Sequence, residues 1–167
     1  MNWDAISAIS QLIGSIAVVL SVLYLALQVH RSTRVAKLAT QDAAATALRE
    51  VTAPFMENAE LERIWRLGLE DIGALSVEER ARFFHAAYQF LKAFETIHFH
   101  YVYGSMDKQL WDGWKGLLRH YIVAPGIAHY WTLRPEVFSQ RFRNFVNSLE
   151  PPAKQRTVGT LFGEERK

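Results

Sequence analysis

A continuous apolar run near the start of the chain is its strongest hydropathy pattern. Ala5 to Val29, twenty-five residues, contains no Asp, Glu, Lys or Arg. A helix rises about 1.5 Å per residue and the hydrocarbon core of a bilayer is about 30 Å thick, so this run is long enough to cross a membrane. It lacks the basic start and small-residue cleavage site of a signal peptide, and the remaining chain is too short to bury such a helix. The run therefore predicts a transmembrane anchor over residues 1–30.

Beyond the anchor, apolar residues recur every three or four positions, which is the period of helices and not of strands. Residues 31–57 predict a helical stalk, ended or kinked by Pro54, with a thin apolar stripe formed by Leu38, Ala45, Leu48 and Phe55. Residues 58–150 predict a cytoplasmic helical bundle, and residues 151–167, rich in Pro, Gly and charge, predict a flexible tail. The predicted fold class is all-α: a single N-terminal transmembrane helix that continues into a cytoplasmic stalk and a small bundle.

Capping residues and helix breakers divide the bundle into elements. Asn58 is placed to cap one helix, Ser76 and Glu79 form the S-x-x-E pattern of a capping box, and Gly104 is placed to stop the helix that follows. The break at Ala124-Pro125-Gly126 separates two further segments. Together these signals predict helices over Ala59–Glu70, Val77–Tyr103, Asp107–Val123, Ile127–Leu133 and Pro135–Leu149.

The charges that flank the apolar run set its expected orientation. Basic side chains follow Val29, at His30, Arg31, Arg34 and Lys37, whereas Asp4 precedes the run. The positive-inside rule places the basic side in the cytoplasm. We therefore expect a single-pass membrane protein, with its N-terminus outside and its C-terminal domain in the cytoplasm.

Composition narrows the remaining classes of function. The net charge is only +2, and basic and acidic residues are interleaved through the soluble part, so we expect no binding to nucleic acid. The chain contains no cysteine, which excludes disulfides, thiolate zinc sites and thiol catalysis.

One face of the apolar run carries small and polar residues, namely Ser7, Ser10, Gln11, Gly14, Ala17 and Ser21. Small residues three or four positions apart let two helix backbones approach closely, and Gln11 inside lipid needs a hydrogen-bonding partner. The pattern predicts a helix–helix interface in the membrane, formed with another copy of the chain or with another protein of a membrane complex. The alternative is an ordinary lipid-facing helix whose Ser hydroxyls bond to carbonyls of the preceding turn.

Several segments resemble a family of short, uncharacterised proteobacterial proteins with one N-terminal transmembrane helix and a helical cytoplasmic domain. The similar segments are Ala5–Ile9, Ile13–Val19, Ser21, Tyr24–Val29, Thr33-Arg34, Phe94-Glu95 and Leu110–Trp114, and the similarity extends to Leu149. The resemblance implies this architecture in a bacterial inner (cell) membrane, and it implies no activity. Members of the family often carry Glu where this chain has Gln11, so a proton relay through the span is not implied here.

Glu95 and His98 lie on an otherwise apolar face of the helix predicted after Ser76. Their E-x-x-H spacing occurs in di-iron bundles, but those sites need a second such motif, which the sequence lacks. We therefore predict no metal and no cofactor, and we interpret Glu95 as a buried carboxylate satisfied by a facing side chain. The candidates are Arg63, Arg66, Arg119, Trp111 and Trp114.

Three tryptophans, Trp111, Trp114 and Trp131, are spaced to line an aromatic pocket or simply to fill a core. Three functions are consistent with the sequence. The favoured one is a membrane-anchored interaction or scaffold protein, self-associating or an accessory subunit of an inner-membrane complex. The second is a membrane-proximal sensor or binding module for a small apolar ligand or lipid, and the weakest is an enzyme or metal site around Glu95 and His98.

Overall fold

The computed structural model describes residues 3–153, without the side chains of Ala5 and Ser10. The predicted flexible tail thus lies outside the described residues from position 154 onwards. Within the described range the chain forms helices and no strand, which confirms the all-α fold class. The helices are α1 (Trp3–Glu57), α2 (Ala59–Glu70), α3 (Val77–Val102), α4 (Lys108–Ile122), α5 (Pro125–Leu133) and α6 (Gln140–Asn147), with 3₁₀ turns at Ile72–Ala74 and Pro135–Val137.

The chain divides into two compact units, with the boundary between Ala39 and Thr40. The first unit, as far as it is described, is the N-terminal part of α1, and it contains a stretch long and apolar enough to cross a membrane. Every side chain described there is exposed. The predicted stalk, residues 31–57, is therefore shared between the two units.

The end of α1 packs in the second unit. Ala44 and Leu48 are buried, and Val51 and Phe55 follow at helical spacing as half-buried residues. The ring of Phe55 stacks on that of Trp65, with centroids 4.9 Å apart. Within the predicted apolar stripe, Leu48 and Phe55 therefore pack in the second unit. Leu38, in the first unit, is 52% exposed.

Pro54 lies inside α1, which ends one turn later at Glu57. The amide of Asn58 donates to the carbonyl oxygen of Pro54, 3.0 Å away, and the side chain of Asn58 caps α2. The sequence predicts an end or a kink at Pro54. The helix does not end there, and the kink stays a prediction. Proline removes the bond that its own amide would donate but leaves its carbonyl oxygen free to accept one.

Helix α3 is the centre of the second unit. Its most buried side chains include Phe83, Phe90, Leu91, Phe94 and Ile97. Its start matches the prediction, because Ser76 and Glu79 form both bonds of a capping box. It ends just before Gly104, whose φ of 73° lies in the left-handed region that favours glycine.

Helices α2 and α5 approach each other closely at two glycines. A Cβ atom added to Gly126 would lie 1.8 Å from the carbonyl oxygen of Gly68, and one added to Gly68 would lie 2.3 Å from the ring of Phe83. No side chain larger than a hydrogen fits at either position without displacing a neighbour. The sequence analysis treated Gly126 only as part of a helix break, whereas α5 begins at Pro125 and includes it.

The predicted helix Pro135–Leu149 is wrong as one element. The chain instead forms a 3₁₀ turn over Pro135–Val137, an extended residue at Phe138, and then α6 from Gln140. Ser139 caps α6 by accepting a hydrogen bond from the amide of Phe142, 3.3 Å away. The interruption coincides with two side chains from α3 that bind this backbone, as described next.

Candidate functional site

Glu95 joins α3 to the start of α6. Its Oε2 accepts a hydrogen bond from Lys92 Nζ at 2.6 Å, and its Oε1 accepts one from the amide of Ser139 at 2.6 Å. Only 15% of its side chain is exposed. Lys92 Nζ also donates to the carbonyl oxygen of Val137, 2.7 Å away. These three bonds fix the backbone on both sides of Phe138 to one turn of α3, and we call Lys92, Glu95, Val137 and Ser139 the α6 anchor.

The predicted partners of Glu95 are wrong. Arg63 pairs with Glu79, and Arg66 lies 3.4 Å from Glu62. The remaining arginine of the predicted set, Arg119, donates to backbone carbonyls of Glu150 and Pro151. Lys92 takes the role instead, because residues three apart on a helix lie side by side.

The environment of Glu95 has opposing effects on its acidity. Burial disfavours the charged carboxylate and raises its pKa, whereas the hydrogen bonds from Lys92 and from Ser139 favour the charged form. The bonds together outweigh burial, so the pKa of Glu95 lies below its ordinary value of 4.5. Glu95 is therefore ionised at neutral pH and suits an electrostatic anchor better than a general acid.

His98 lies one turn after Glu95 and is 6% exposed. Its ring stacks on Phe145, with centroids 4.4 Å apart and planes 13° from parallel, and it also contacts Trp111 and Phe142. Burial lowers the pKa of His98, Arg141 lowers it further, and Glu95 opposes this change. The imidazole therefore favours its neutral form and acts in this core as an aromatic ring.

The E-x-x-H pair does not form part of a larger ligand cluster in the described part of the chain. Between residues 3 and 153, no three His, Asp or Glu side chains come together in a way that would hold a metal ion. One carboxylate already bonded to a lysine and an amide, beside one stacked imidazole, packs and orients α6.

The three tryptophans make separate packing contacts. Trp111 is 3% exposed and stacks on Tyr101, while Trp114 is half-buried and meets Phe94 edge to face. Trp131 packs on Phe138, and its indole N–H donates to Asn147 Oδ1 at 3.0 Å. All three thus contribute to the core, and the aromatic pocket stays a prediction.

An open groove of about 520 Å³ lies between the end of α1 and the middle of α3. It is lined by Ala47, Glu50, Val51, Pro54, Gln89, Lys92, Ala93 and Thr96. Half of these side chains are polar or charged, and none is one of the three tryptophans. A groove with such a mixed lining does not by itself identify the class of ligand that would bind there.

The small-residue face of α1 consists of exposed side chains at Ser7, Gln11, Gly14, Ala17 and Ser21, and the side chain of Ser10 lies outside the described ones. The hydroxyl of Ser21 donates to the carbonyl oxygen of Ala17 at 2.8 Å. That bond is the one expected of any serine in a membrane helix. Among the described side chains of this face, those of Ser7 and Gln11 form no hydrogen bond with their own helix.

No family model, curated protein or solved structure matches the chain. The resemblance given by the sequence segments stays a prediction, and any function has to be argued from this chain's own residues.

Lys92 and the two backbone groups of the α6 anchor were not predicted from the sequence. The signal for Lys92 was present, because it precedes Glu95 by three residues. No sequence pattern indicated Val137 and Ser139, which lie more than forty positions from their partners.

Proposed function

We propose that this chain is a membrane-anchored helical interaction or scaffold protein. Its apolar helix crosses a bacterial inner membrane once, and its helical bundle binds partners in the cytoplasm. The span associates with another copy of the chain or with a subunit of a larger membrane complex. The observation that carries the proposal is the exposure of the apolar side chains from Ile6 to Val29, because a surface of this size is stable only against lipid or another apolar helix.

The association of spans is supported by Gln11. Its side-chain amide is exposed, and within the described residues no hydrogen bond from it to another group is found. An amide transferred from water to hydrocarbon without a partner costs about 4 kcal/mol or more. A second helix approaching along Gly14, on the same side of α1, would bring hydrogen-bonding groups within reach of this amide.

Replacing Gly14 by Leu is expected to weaken association about tenfold in the dissociation constant, because a bulky side chain would separate the two backbones. A Cβ atom added at Gly14 meets no atom within 4 Å, so the chain's own helix accommodates the change. Sedimentation velocity of the full chain in a mild detergent measures the effect.

Val19→Leu is the matched control, since Val19 lies off the small-residue face and is 57% exposed. Equal weakening by the two substitutions would identify the face as ordinary lipid-facing helix. A wild-type chain that is monomeric in several mild detergents would exclude stable self-association.

The orientation gives a second prediction. Because basic residues follow the apolar run and Asp4 precedes it, a fluorescent protein fused after Lys167 should fluoresce. Alkaline phosphatase fused at the same position should be inactive, since it needs the oxidising periplasm. The opposite pair of results would place the bundle outside the cytoplasm.

A further inference from the structure

We infer that a basic face of α1, formed by Arg31, Arg34 and Lys37, binds the headgroups of anionic phospholipids. The inference rests on the proposed membrane span, because the span fixes the depth of these residues. They begin two positions after Val29, where the apolar run ends. All three side chains are exposed.

The geometry of a helix places the three charges together. At about 100° per residue, Arg31, Arg34 and Lys37 fall within a sector of about 120° on one side of α1. They extend over about 9 Å along the axis, compared with about 5 to 7 Å for one headgroup layer. Long basic side chains extend towards the interface, so each of the three charges reaches a phosphate at this depth.

The described chain leaves these charges without a carboxylate partner. No Asp or Glu occurs from Ala5 to Gln41, and among the described residues none of the three basic side chains forms an ion pair. Basic residues of the bundle behave differently: Arg63, Arg66 and Arg82 each pair with a glutamate. Within residues 3–153, no carboxylate neutralises the basic face, which leaves it available to an external anion.

A lipid leaflet is the anion that the position favours. A basic side chain next to a span faces headgroups at high local concentration, and each Lys or Arg near an anionic leaflet strengthens binding about fivefold. Because the basic face covers about one third of the helix circumference, a fivefold preference there corresponds to about a twofold preference averaged over all lipids around the helix.

The test uses the full chain reconstituted in phosphatidylcholine bilayers at low ionic strength. Electron spin resonance of spin-labelled phosphatidylglycerol and phosphatidylcholine measures how much of each lipid is immobilised at the protein. We expect about twofold more immobilised phosphatidylglycerol. The preference should fall well below twofold in Arg31→Gln/Arg34→Gln, which leaves only Lys37 on the basic face, and should disappear in high salt, which screens exposed charges.

Arg49→Gln/Lys115→Gln is the control, because it removes the same charge from residues outside the basic face. It should keep the preference; loss in both double variants would show that only net charge matters and would overturn the inference. Equal immobilisation of the two lipids by the wild-type chain would also overturn it, while leaving the span intact. No immobilised lipid at all would instead refute the span itself, and the inference with it.

Discussion

Gly126→Ala is expected to destabilise the helical bundle by about 3 kcal/mol or more. The added methyl group would lie 1.8 Å from the carbonyl oxygen of Gly68, which is backbone inside α2. A side chain can rotate away from such a contact, but the backbone of a helix cannot. Relief requires α5 to move away from α2, which would expose Ile127, a fully buried residue next to the glycine.

Urea unfolding of the full chain in a mild detergent, followed by tryptophan fluorescence, measures this effect. Four of the five tryptophans lie in the second unit, so the signal reports mainly on the bundle. Gly113→Ala is the matched control, because a Cβ atom there meets nothing within 4 Å and the position lies inside α4. It should stabilise the bundle by about 0.5 to 1 kcal/mol, since alanine favours a helix over glycine. A loss of less than about 1 kcal/mol in Gly126→Ala would contradict the close approach of α2 and α5.

Local signals in the sequence predicted most helix boundaries, whereas contacts between distant segments decided the rest. Helix α2 has the predicted ends, and α3 starts where its capping box indicated, because a cap depends on residues within one turn. The break at Phe138 depends on Lys92 and Glu95, which bind backbone atoms of Val137 and Ser139. No property of residues 135–149 alone contains that information.

The same distinction applies to the candidate site. The apolar spacing of α3 predicted that Glu95 and His98 face inward, and Glu95 is 15% exposed at its side chain while His98 is 6% exposed. The identity of the partner was wrong, because a facing helix was expected to provide it. The ammonium of Lys92 bonds instead to a carboxylate on its own helix and to the carbonyl oxygen of Val137. The sequence offers no way to rank that arrangement above an arginine from elsewhere.

Glu95→Ala is expected to destabilise the bundle by about 2 kcal/mol. The substitution leaves the amide of Ser139 without its acceptor and removes the anion that faces Lys92. Lys92 keeps its bond to the carbonyl oxygen of Val137, and its side chain is 32% exposed, so water compensates part of the loss. For this reason the expected cost lies below that of breaking a fully buried ion pair.

Glu95→Gln distinguishes the contributions of the two hydrogen bonds that the carboxylate accepts. The amide oxygen of Gln still accepts from Ser139, but its amide nitrogen faces Lys92 as a second donor, so the expected loss is about 1 kcal/mol. Equal losses in the Ala and Gln variants would show that the Ser139 bond contributes nothing to stability. A loss below about 0.5 kcal/mol in both would contradict the α6 anchor altogether.

The pH dependence of the free energy of unfolding tests whether the charge on Glu95 causes the loss of stability in these variants. Its pKa in the folded chain lies below the ordinary value of 4.5, so the carboxylate stabilises the fold fully above pH 4.5 and progressively less as pH falls through the folded value. The difference in unfolding free energy between wild type and Glu95→Gln should therefore be largest at pH 7 and shrink below pH 4.5. His98, whose pKa is lowered from 6.5, remains in both proteins. The stability that its neutral form contributes is lost as pH falls below 6.5, so that change begins at a higher pH than the change at Glu95. A difference that stays constant from pH 7 to pH 3 would mean that Glu95 acts through its shape and not through its charge.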